Sequence, residues 1–292
     1  MSLENKDFLR SRRRRERKHT ARPKRQSVSR FSWQMALSSC GLVLLLGLLS
    51  ECSFADVSVN EILAKVSETY RGLQNYQLVA DISEEVAAVG DVRSPEGGRT
   101  TSNFHQSTNS EVDLAAVNPG KVRLQVKDER REVLLVSDGV TTWTYLPTKK
   151  QYTEVTTSTA AASQSRGDAK AEADILRQNQ DLLVNRYQGL ARFSSTFVLE
   201  RDNQIKVGKE RVDCYVLKIE TSDGVREIWV DKNRFIVWRS KDSSPVAQEG
   251  ISLQKTTTVN LKSANVNARL EDSLFTFTPP EKATKVQSLN IK

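Results

Sequence analysis

The side chains most often used in catalysis are sparse and scattered in this sequence. Beyond residue 55 there is one histidine, His105, and one cysteine, Cys214. Neither has a second histidine or cysteine nearby at metal-ligand spacing, and the glycine-rich and serine-centred patterns of nucleotide-binding proteins and hydrolases are missing. The sequence therefore predicts no catalytic residue, no metal site and no cofactor, and we do not expect an enzyme. Cys214 is interpreted as a small packing residue.

Adjacent acidic residues are the remaining candidates for acid/base chemistry. Glu84 directly precedes Glu85, and Asp128 directly precedes Glu129. Neighbouring residues of a strand point to opposite faces, so neither pair can form a shared site. Both pairs are interpreted as solvated surface, which is the usual position of Asp and Glu.

The apolar residues suggest a different chemistry, the shelter of a hydrophobic ligand. From residue 119 to residue 155, extended runs alternate with turn residues, which predicts three or four antiparallel strands. In the first run Val122, Leu124 and Val126 fall on one face, and charged or amide side chains fall on the other. A curved sheet of this kind can hold an acyl chain when side chains do not fill the space beside it.

Two helices are expected to cover that sheet. The first begins at Ser58, where Glu61 completes a capping box, and the second spans residues 171–187 and ends at Gly189. The polar segment 156–170 before the second helix is expected to be a mobile loop. Periodicity alone leaves two interpretations open: ordinary core helices, or a lid over an apolar cavity. The apolar face of the second helix includes Ile175, Leu176, Leu182 and Leu183.

A run of short strands is predicted for the rest of the chain. Turn residues at 202–203 and 243–245 separate some of these strands, and residues 274–278 form the last one. The predicted strands between them are 193–201, 211–221, 225–231, 235–241 and 251–261. The pattern indicates a large antiparallel sheet.

Positive charge is concentrated before residue 56. The chain has 44 Lys+Arg and 36 Asp+Glu, a formal net charge of +8. Residues 1–55 hold 12 basic and 4 acidic residues, whereas residues 56–292 hold 32 of each. The part expected to fold has no basic bias, so we expect no nucleic-acid partner.

An export signal is the preferred interpretation of this basic lead and the apolar run 35–49 that follows it. Small residues precede position 56, and cleavage is predicted between Ala55 and Asp56. Polar interruptions make a permanent membrane span the weaker alternative, and Glu51 makes a lipid anchor on Cys52 a minority one. The predicted organisation is a basic lead with signal peptide, 1–55, and a single domain, 56–292.

Several segments resemble the LolA family of periplasmic lipoprotein carriers. The run REVLLVSDGVTTWTYLPTKKQYTEV is similar to the VSDGKTLWFYDP strand pair of that family. The ending SLFTFTPPEKATKV, residues 273–286, resembles its C-terminal FTFTPP strand, and residues 112–119 occupy the place of its DLWVKRP segment. Together these segments span most of residues 56–286 in order.

The resemblance implies an α+β fold with a curved, incompletely closed antiparallel β-barrel. An N-terminal helix and a lid helix, residues 175–187, would lie over an apolar lipid-binding cavity. The family's arginine before the proline is replaced by Asn118, and Arg123 is the substitute considered for holding the lid closed. The cavity residues implied are Val122, Leu124, Val126, Trp143, Tyr145, Phe275 and Phe277.

The function implied is that of a monomeric periplasmic carrier that shields the acyl chains of lipoproteins and moves them from the inner to the outer membrane. Its partners would be acylated lipoproteins or lipid acyl chains, an inner-membrane release complex and an outer-membrane acceptor. The alternative is an envelope-stress sensor, or another periplasmic binding module of this fold that acts through a protein partner.

Overall fold

Strands make up more than half of the residues that the structure describes. The computed structural model describes residues 57–88, 91–93, 99–101, 104–156, 167–193, 196–248 and 251–291. The predicted presequence, its cleavage site and residues 157–166 of the predicted loop lie outside these ranges. The first helix is α1, Val59–Arg71. The strands are β1 (Asn75–Ala88), β2 (Asp91–Arg93), β3 (Arg99–Thr101), β4 (His105–Val117), β5 (Lys121–Asp128), β6 (Glu132–Asp138), β7 (Thr141–Leu146), β8 (Gln151–Thr156), β9 (Val198–Val207), β10 (Glu210–Thr221), β11 (Gly224–Asp231), β12 (Val237–Gln248), β13 (Ile251–Val266) and β14 (Thr284–Lys285).

Twelve of these strands form one curved sheet. Their order is β14-β8-β7-β6-β5-β4-β1-β13-β12-β11-β10-β9, while β2 and β3 pair separately. All neighbours are antiparallel except β14, which runs parallel to β8. Because β14 and β9 lie at opposite ends of this order, the sheet is incompletely closed within the described residues. The predicted fold class, an open antiparallel sheet with few helices, is confirmed.

The register of the central strands assigns side chains to two faces. Leu78, Leu114, Leu124 and Leu135 lie directly opposite one another on β1, β4, β5 and β6. These side chains are buried in one core with the apolar residues of α1. We call this side the helix face and the other side the opposite face. The period-two pattern read from β5 therefore predicts the buried side of the sheet correctly.

Helix α1 begins and ends where its sequence predicts. The Ser58 hydroxyl accepts a hydrogen bond from the Glu61 N–H at 3.2 Å, and the N–H of Gly72 donates to the Glu68 carbonyl at 2.9 Å. The helix buries one apolar stripe against the sheet, because its apolar residues recur every three or four positions. The fully buried members of the stripe are Ile62, Leu63, Val66 and Tyr70.

Tyr70 connects three elements at the centre of the core. Its hydroxyl accepts a hydrogen bond from the backbone N–H of Val237 at 3.1 Å. The pairing of β11 with β12 skips Trp238, and this β-bulge leaves the Val237 N–H available to a side chain. The Tyr70 ring also packs against the Tyr187 ring, with 4.8 Å between centroids. Helix α1, strand β12 and the later helical segment thus meet at one side chain.

Replacing Tyr70 with phenylalanine should destabilise the fold. The substitution leaves the buried Val237 N–H without its acceptor, which costs about 1–3 kcal/mol of unfolding free energy. Chemical denaturation followed by circular dichroism measures the difference. Tyr152→Phe is the matched control, because the Tyr152 hydroxyl makes no hydrogen bond within the described part of the chain. Equal stability of the two variants would contradict a structural role for the Tyr70 hydroxyl.

A second helical segment, residues 167–193, also lies on the helix face. It consists of α2 (Gly167–Gln180), a π-helical turn (Asp181–Asn185), α3 (Arg186–Gln188) and a 3₁₀ turn (Leu190–Phe193). The predicted helix and its end at Gly189 are confirmed, although α2 begins inside the segment expected to be a loop. Four residues of its C-terminal half are buried in the core: Leu183, Val184, Tyr187 and Leu190.

Two predicted turns between the later strands are wrong. Asp202 and Asn203 lie within β9 rather than in a turn, and the chain reverses at Gly208, whose φ is +59°. Residues 243–245 likewise lie within β12. Ser243 is the last β12 residue paired with β11, and Pro245 lies beyond it. Proline is tolerated there because its missing N–H removes no hydrogen bond between β12 and β11.

The predicted strand at 274–278 is also wrong. Residues Asp272–Phe275 form a 3₁₀ turn, and only β14 further on pairs with the sheet. The C-terminal residues 272–291, which we call the C-terminal clasp, wrap around the β8 edge. Phe277 packs on the opposite face, and Leu289 and Ile291 pack with Val133 and Leu146 on the helix face.

Candidate functional site

The structure divides the predicted cavity residues between the two faces of the sheet. Val122, Leu124 and Val126 are buried on the helix face. Leu124 pairs with Leu135, and Leu135 pairs with Thr144. The neighbours of Thr144 along β7, Trp143 and Tyr145, must therefore point to the opposite face.

Phe277 of the clasp belongs with these two aromatics. The Phe277 ring centroid lies 6.3 Å from that of Trp143, 5.8 Å from Tyr145 and 5.5 Å from Tyr152. Phe275, at the end of the 3₁₀ turn, is 1% exposed and lies outside the main core of the helix face. A cavity on the helix face cannot include the Phe277 cluster, so the grouping of seven residues in one cavity needs correction. Motif similarity placed these residues in order along the chain but could not assign their faces.

Leu124 is too deeply buried for a polar substitution to test lipid binding at this position. It is 1% exposed and packs within the main core. We expect Leu124→Ala to cost about 2–5 kcal/mol of unfolding free energy through lost contacts and a cavity. Val140→Ala, at a position 66% exposed, should change stability by no more than about 0.5 kcal/mol. Thermal and denaturant unfolding of both variants measures this, and a small effect at Leu124 would contradict its place in the core.

The predicted lid residues differ in depth. Leu183 is buried, whereas Ile175, Leu176 and Leu182 are only partly buried where they pack against the core. A polar contact adds to the attachment of α2, because the Thr153 hydroxyl donates to a Glu172 carboxylate oxygen at 3.2 Å. The C-terminal half of the helical segment is therefore buried in the main core. Along α2 the buried side chains are the polar Glu172 and Asn179, and the apolar ones are only partly buried.

Two open pockets adjoin this segment. A pocket of about 410 Å³ lies between its C-terminal end and strands β10–β12, with Leu190, Phe193, Phe197, Ile219 and Val225 among its lining residues. A pocket of about 650 Å³ adjoins α2 and the π-helical turn and has a mostly charged lining. Both volumes fall within the range of small-molecule sites, about 300–1000 Å³.

A charged cluster fastens the segment to the sheet between these pockets. Arg186 Nη2 lies 2.9 Å from Asp242 Oδ2, and Arg226 Nε donates to the other oxygen of the same carboxylate. Arg123 cannot perform this role, because its pairing with Val136 places it on the opposite face. Asn118, at the position of the expected arginine, instead donates from Nδ2 to the Leu73 carbonyl at 3.3 Å. Arg186 and Asp242 were not singled out from the sequence, since their contact joins residues far apart in the chain.

The sequence matches one family over most of its length. Residues 60–289 match the family model DUF2092, described as a predicted periplasmic protein. The chain belongs to this family. No curated protein sequence matches it. A helix both long enough and apolar enough to cross a bilayer does not occur within the described ranges.

Several solved structures are similar to this DUF2092 member at low identity. A DUF1329 family protein from Desulfovibrio piger is 15% identical, with 75% of this chain and 95% of that chain covered and a TM-score of 0.25. The MucA/MucB complex of Pseudomonas aeruginosa is 14% identical, with 74% of this chain and 60% of that chain covered and a TM-score of 0.35. A third structure, from Vibrio parahaemolyticus, is described as a putative outer membrane lipoprotein-sorting protein domain. It is 11% identical, with 74% of this chain and 95% of that chain covered and a TM-score of 0.24. Similarities at this level carry no argument about function.

The groups with catalytic potential remain apart in the fold. His105 is exposed at the start of β4. Within the part of the chain that the structure describes, no three His, Cys, Asp or Glu side chains are arranged to hold a metal ion. Cys214 is a buried free thiol on β10, as its interpretation as a packing residue predicts. Burial, with smaller contributions from Asp231 and Asp213, raises the pKa of the Cys214 thiol to about 12.

Cys214 should therefore resist alkylation in the folded protein. A pKa raised above the working pH keeps the sulfur protonated, and the thiolate is the reactive form. We expect iodoacetamide at pH 8 to leave the Cys214 peptide unmodified, and to modify it fully after denaturation. Mass spectrometry of the digested protein separates this peptide from those of Cys40 and Cys52. Rapid modification of Cys214 in the folded state would contradict its burial.

Proposed function

We propose that this protein is a periplasmic carrier that shields the acyl chains of lipoproteins on the helix face of its sheet. The observation that carries the proposal is the uneven attachment of the helical segment 167–193. Its C-terminal half is buried, α2 packs only shallowly on an apolar face, and open pockets adjoin both halves. A cover attached at one end can move aside and expose that face without unfolding the rest.

The apolar surface is large enough in energetic terms to hold a lipid. Each methylene removed from water contributes about 0.8 kcal/mol, so a 16-carbon chain gains on the order of 12 kcal/mol before costs. A carrier must also release its cargo. Ile175, Leu176 and Leu182 cover the same face in the closed form, so they compete with an acyl chain and lower its net affinity.

Cargo binding in this proposal requires displacement of α2. The closed form leaves no space beside Leu124, which is already buried. When α2 moves, its partly buried residues would contact the acyl chain, and Val122, Leu124 and Val126 would lie beneath it. Trp143, Tyr145 and Phe277 are left out of the proposed site because they lie on the opposite face, where they hold the clasp. Phe275 is left out because it is buried outside the main core of the helix face.

The remaining parts of the proposal concern transport. The carrier would be exported by cleavage near Ala55, act as a monomer, receive acylated lipoproteins from an inner-membrane release complex and deliver them to an outer-membrane acceptor. The DUF2092 description supports the compartment. The segments that resemble lipoprotein carriers support the cargo.

A second candidate is a periplasmic binding module that acts through a protein partner, such as a sensor of envelope stress. One observation favours it. Phe193, Val198 and Leu199 are exposed at 55%, 59% and 40%, and the last two lie on β9, an end strand of the sheet. Exposed apolar residues beside the outer edge of an end strand form a suitable surface for binding a protein segment.

Native mass spectrometry of protein isolated from the periplasm distinguishes the two candidates. The carrier proposal predicts bound species whose masses correspond to acylated lipoprotein or lipid. It also predicts that the protein binds a fluorescent hydrophobic probe and that added lipid displaces the probe. A lipid-free mass together with no probe binding would overturn the carrier proposal, and co-isolation of a protein partner without lipid would favour the second candidate.

A substitution in α2 tests the proposed cover. Ile175→Glu places a charge on the side of the helix that packs against the core and so weakens the closed form that competes with the lipid. We expect a roughly tenfold gain of lipid affinity, the equivalent of removing one partly buried aliphatic side chain from that competition. Ala173→Glu adds the same charge at an exposed position of the same helix and should leave affinity unchanged. Probe-displacement titrations measure both. Identical affinities for the two variants would contradict competition between α2 and the lipid.

A further inference from the structure

We infer that the 410 Å³ pocket beside Arg186 and Arg226 binds the anionic head of a single-chain amphiphile. The inference rests on the proposed function, because it names the class of lipid that the same face of the sheet would accept. The pocket combines an apolar wall with two guanidinium groups.

The apolar wall gives the pocket room for a hydrocarbon chain. Leu190, Phe193 and Phe197 come from the helical segment and the connection after it, and Ile219 and Val225 come from β10 and β11. Phe197 and Leu190 are buried, whereas Phe193 is half-exposed and gives access from solvent. A volume of about 410 Å³ is near the lower end of the range for small-molecule sites, which suits one chain better than several.

Two guanidinium groups share one carboxylate in the pocket, and Asp223 brings the formal charge of the lining to zero. Arg186 and Arg226 both interact with the single carboxylate of Asp242. The side chains of Arg186 and Asp242 are only 17% and 22% exposed, so solvent screens this cluster weakly. The fourth charged lining residue, Asp223, lies in the exposed turn between β10 and β11, where water screens its charge more strongly.

Arg186 also has unused hydrogen-bonding capacity. Its Nη1 atom is buried and has no hydrogen-bond partner among the residues described. A buried donor without an acceptor is unfavourable, and guanidinium groups bind carboxylate and phosphate oxygens in a forked geometry. An anionic head that approaches the two arginines would supply acceptors and compete with Asp242 for them.

This competition would couple ligand binding to the attachment of the C-terminal half of the helical segment. The contact between Arg186 and Asp242 is the charged link between the helical segment and β12. A head group that draws Arg186 from Asp242 weakens that link at the moment when the chain enters the apolar wall. A neutral amphiphile of equal length would gain the apolar contacts but not this exchange.

Binding of three ligands to the purified protein tests the inference. The probes are palmitate, 1-palmitoyl lysophosphatidate and 1-hexadecanol, measured by isothermal titration calorimetry below their aggregation concentrations. We expect both anionic ligands to bind about tenfold more tightly than the alcohol, the scale of one charge-assisted interaction. Preference between the two anions then distinguishes a carboxylate from a phosphate head. Rising salt should weaken the anionic ligands only.

Substitutions of arginine residues test whether this pocket causes the preference for anionic ligands. Arg226→Gln should reduce palmitate affinity about tenfold without changing hexadecanol affinity, and Arg226→Lys, which keeps the charge, should retain most of the preference. Arg192→Gln is the matched control, because Arg192 is exposed and does not line the pocket. Circular dichroism verifies folding, and the salt titration on the unmodified protein serves as the test if a variant misfolds.

The outcomes separate this inference from the proposed function. Equal affinity for palmitate and hexadecanol, or equal weakening of both by Arg226→Gln, would overturn the anionic-head site while leaving acyl-chain binding in place. Failure of all three ligands to bind would overturn the inference together with the carrier proposal.

Discussion

Coverage of one apolar sheet face is the constraint on which the rest of the structure depends. A twelve-stranded antiparallel sheet presents more apolar surface on its helix face than its own strands can bury. Helix α1 covers the centre of that face, and the Tyr70 hydroxyl fixes its position on β12. Burial raises the pKa of Tyr70, so the phenol stays neutral in the core. The helical segment 167–193 then packs on the surface that α1 leaves.

The two covering elements differ in a way that matters for function. Every buried position of α1 faces the core, and both ends of the helix are capped within the chain. The later segment has a π-helical turn between a shallow half and a deep half, and such turns often occur at functional sites. The deep half contains Arg186, whose contact with Asp242 lies next to the pocket with the apolar wall. In the proposed carrier, the deep half would stay in place while α2 moves.

The sequence predicts what depends on local spacing and misses what depends on distant contacts. The capping box at Ser58, the alternation along β5 and the helix ending at Gly189 are local patterns, and the structure has all three. The position of Trp143 and Phe277 on the opposite face depends on register across four strands and on the path of the C terminus. The Arg186–Asp242 contact likewise joins residues that only the folded sheet brings together. Resemblance to a family aligned segments along the chain, but it could not supply these three-dimensional relations.

The C-terminal clasp ties one end of the sheet to residues far away in the sequence. Leu289 and Ile291 complete a core with Val133 and Leu146, and the Lys149 ammonium group donates to the Asn290 carbonyl at 2.7 Å. These contacts join residues more than half the domain apart, and contacts of high sequence separation form slowly during folding. The clasp also pairs β14 with β8, so part of that strand's outer edge is occupied by the chain itself and is less available to a strand of another copy.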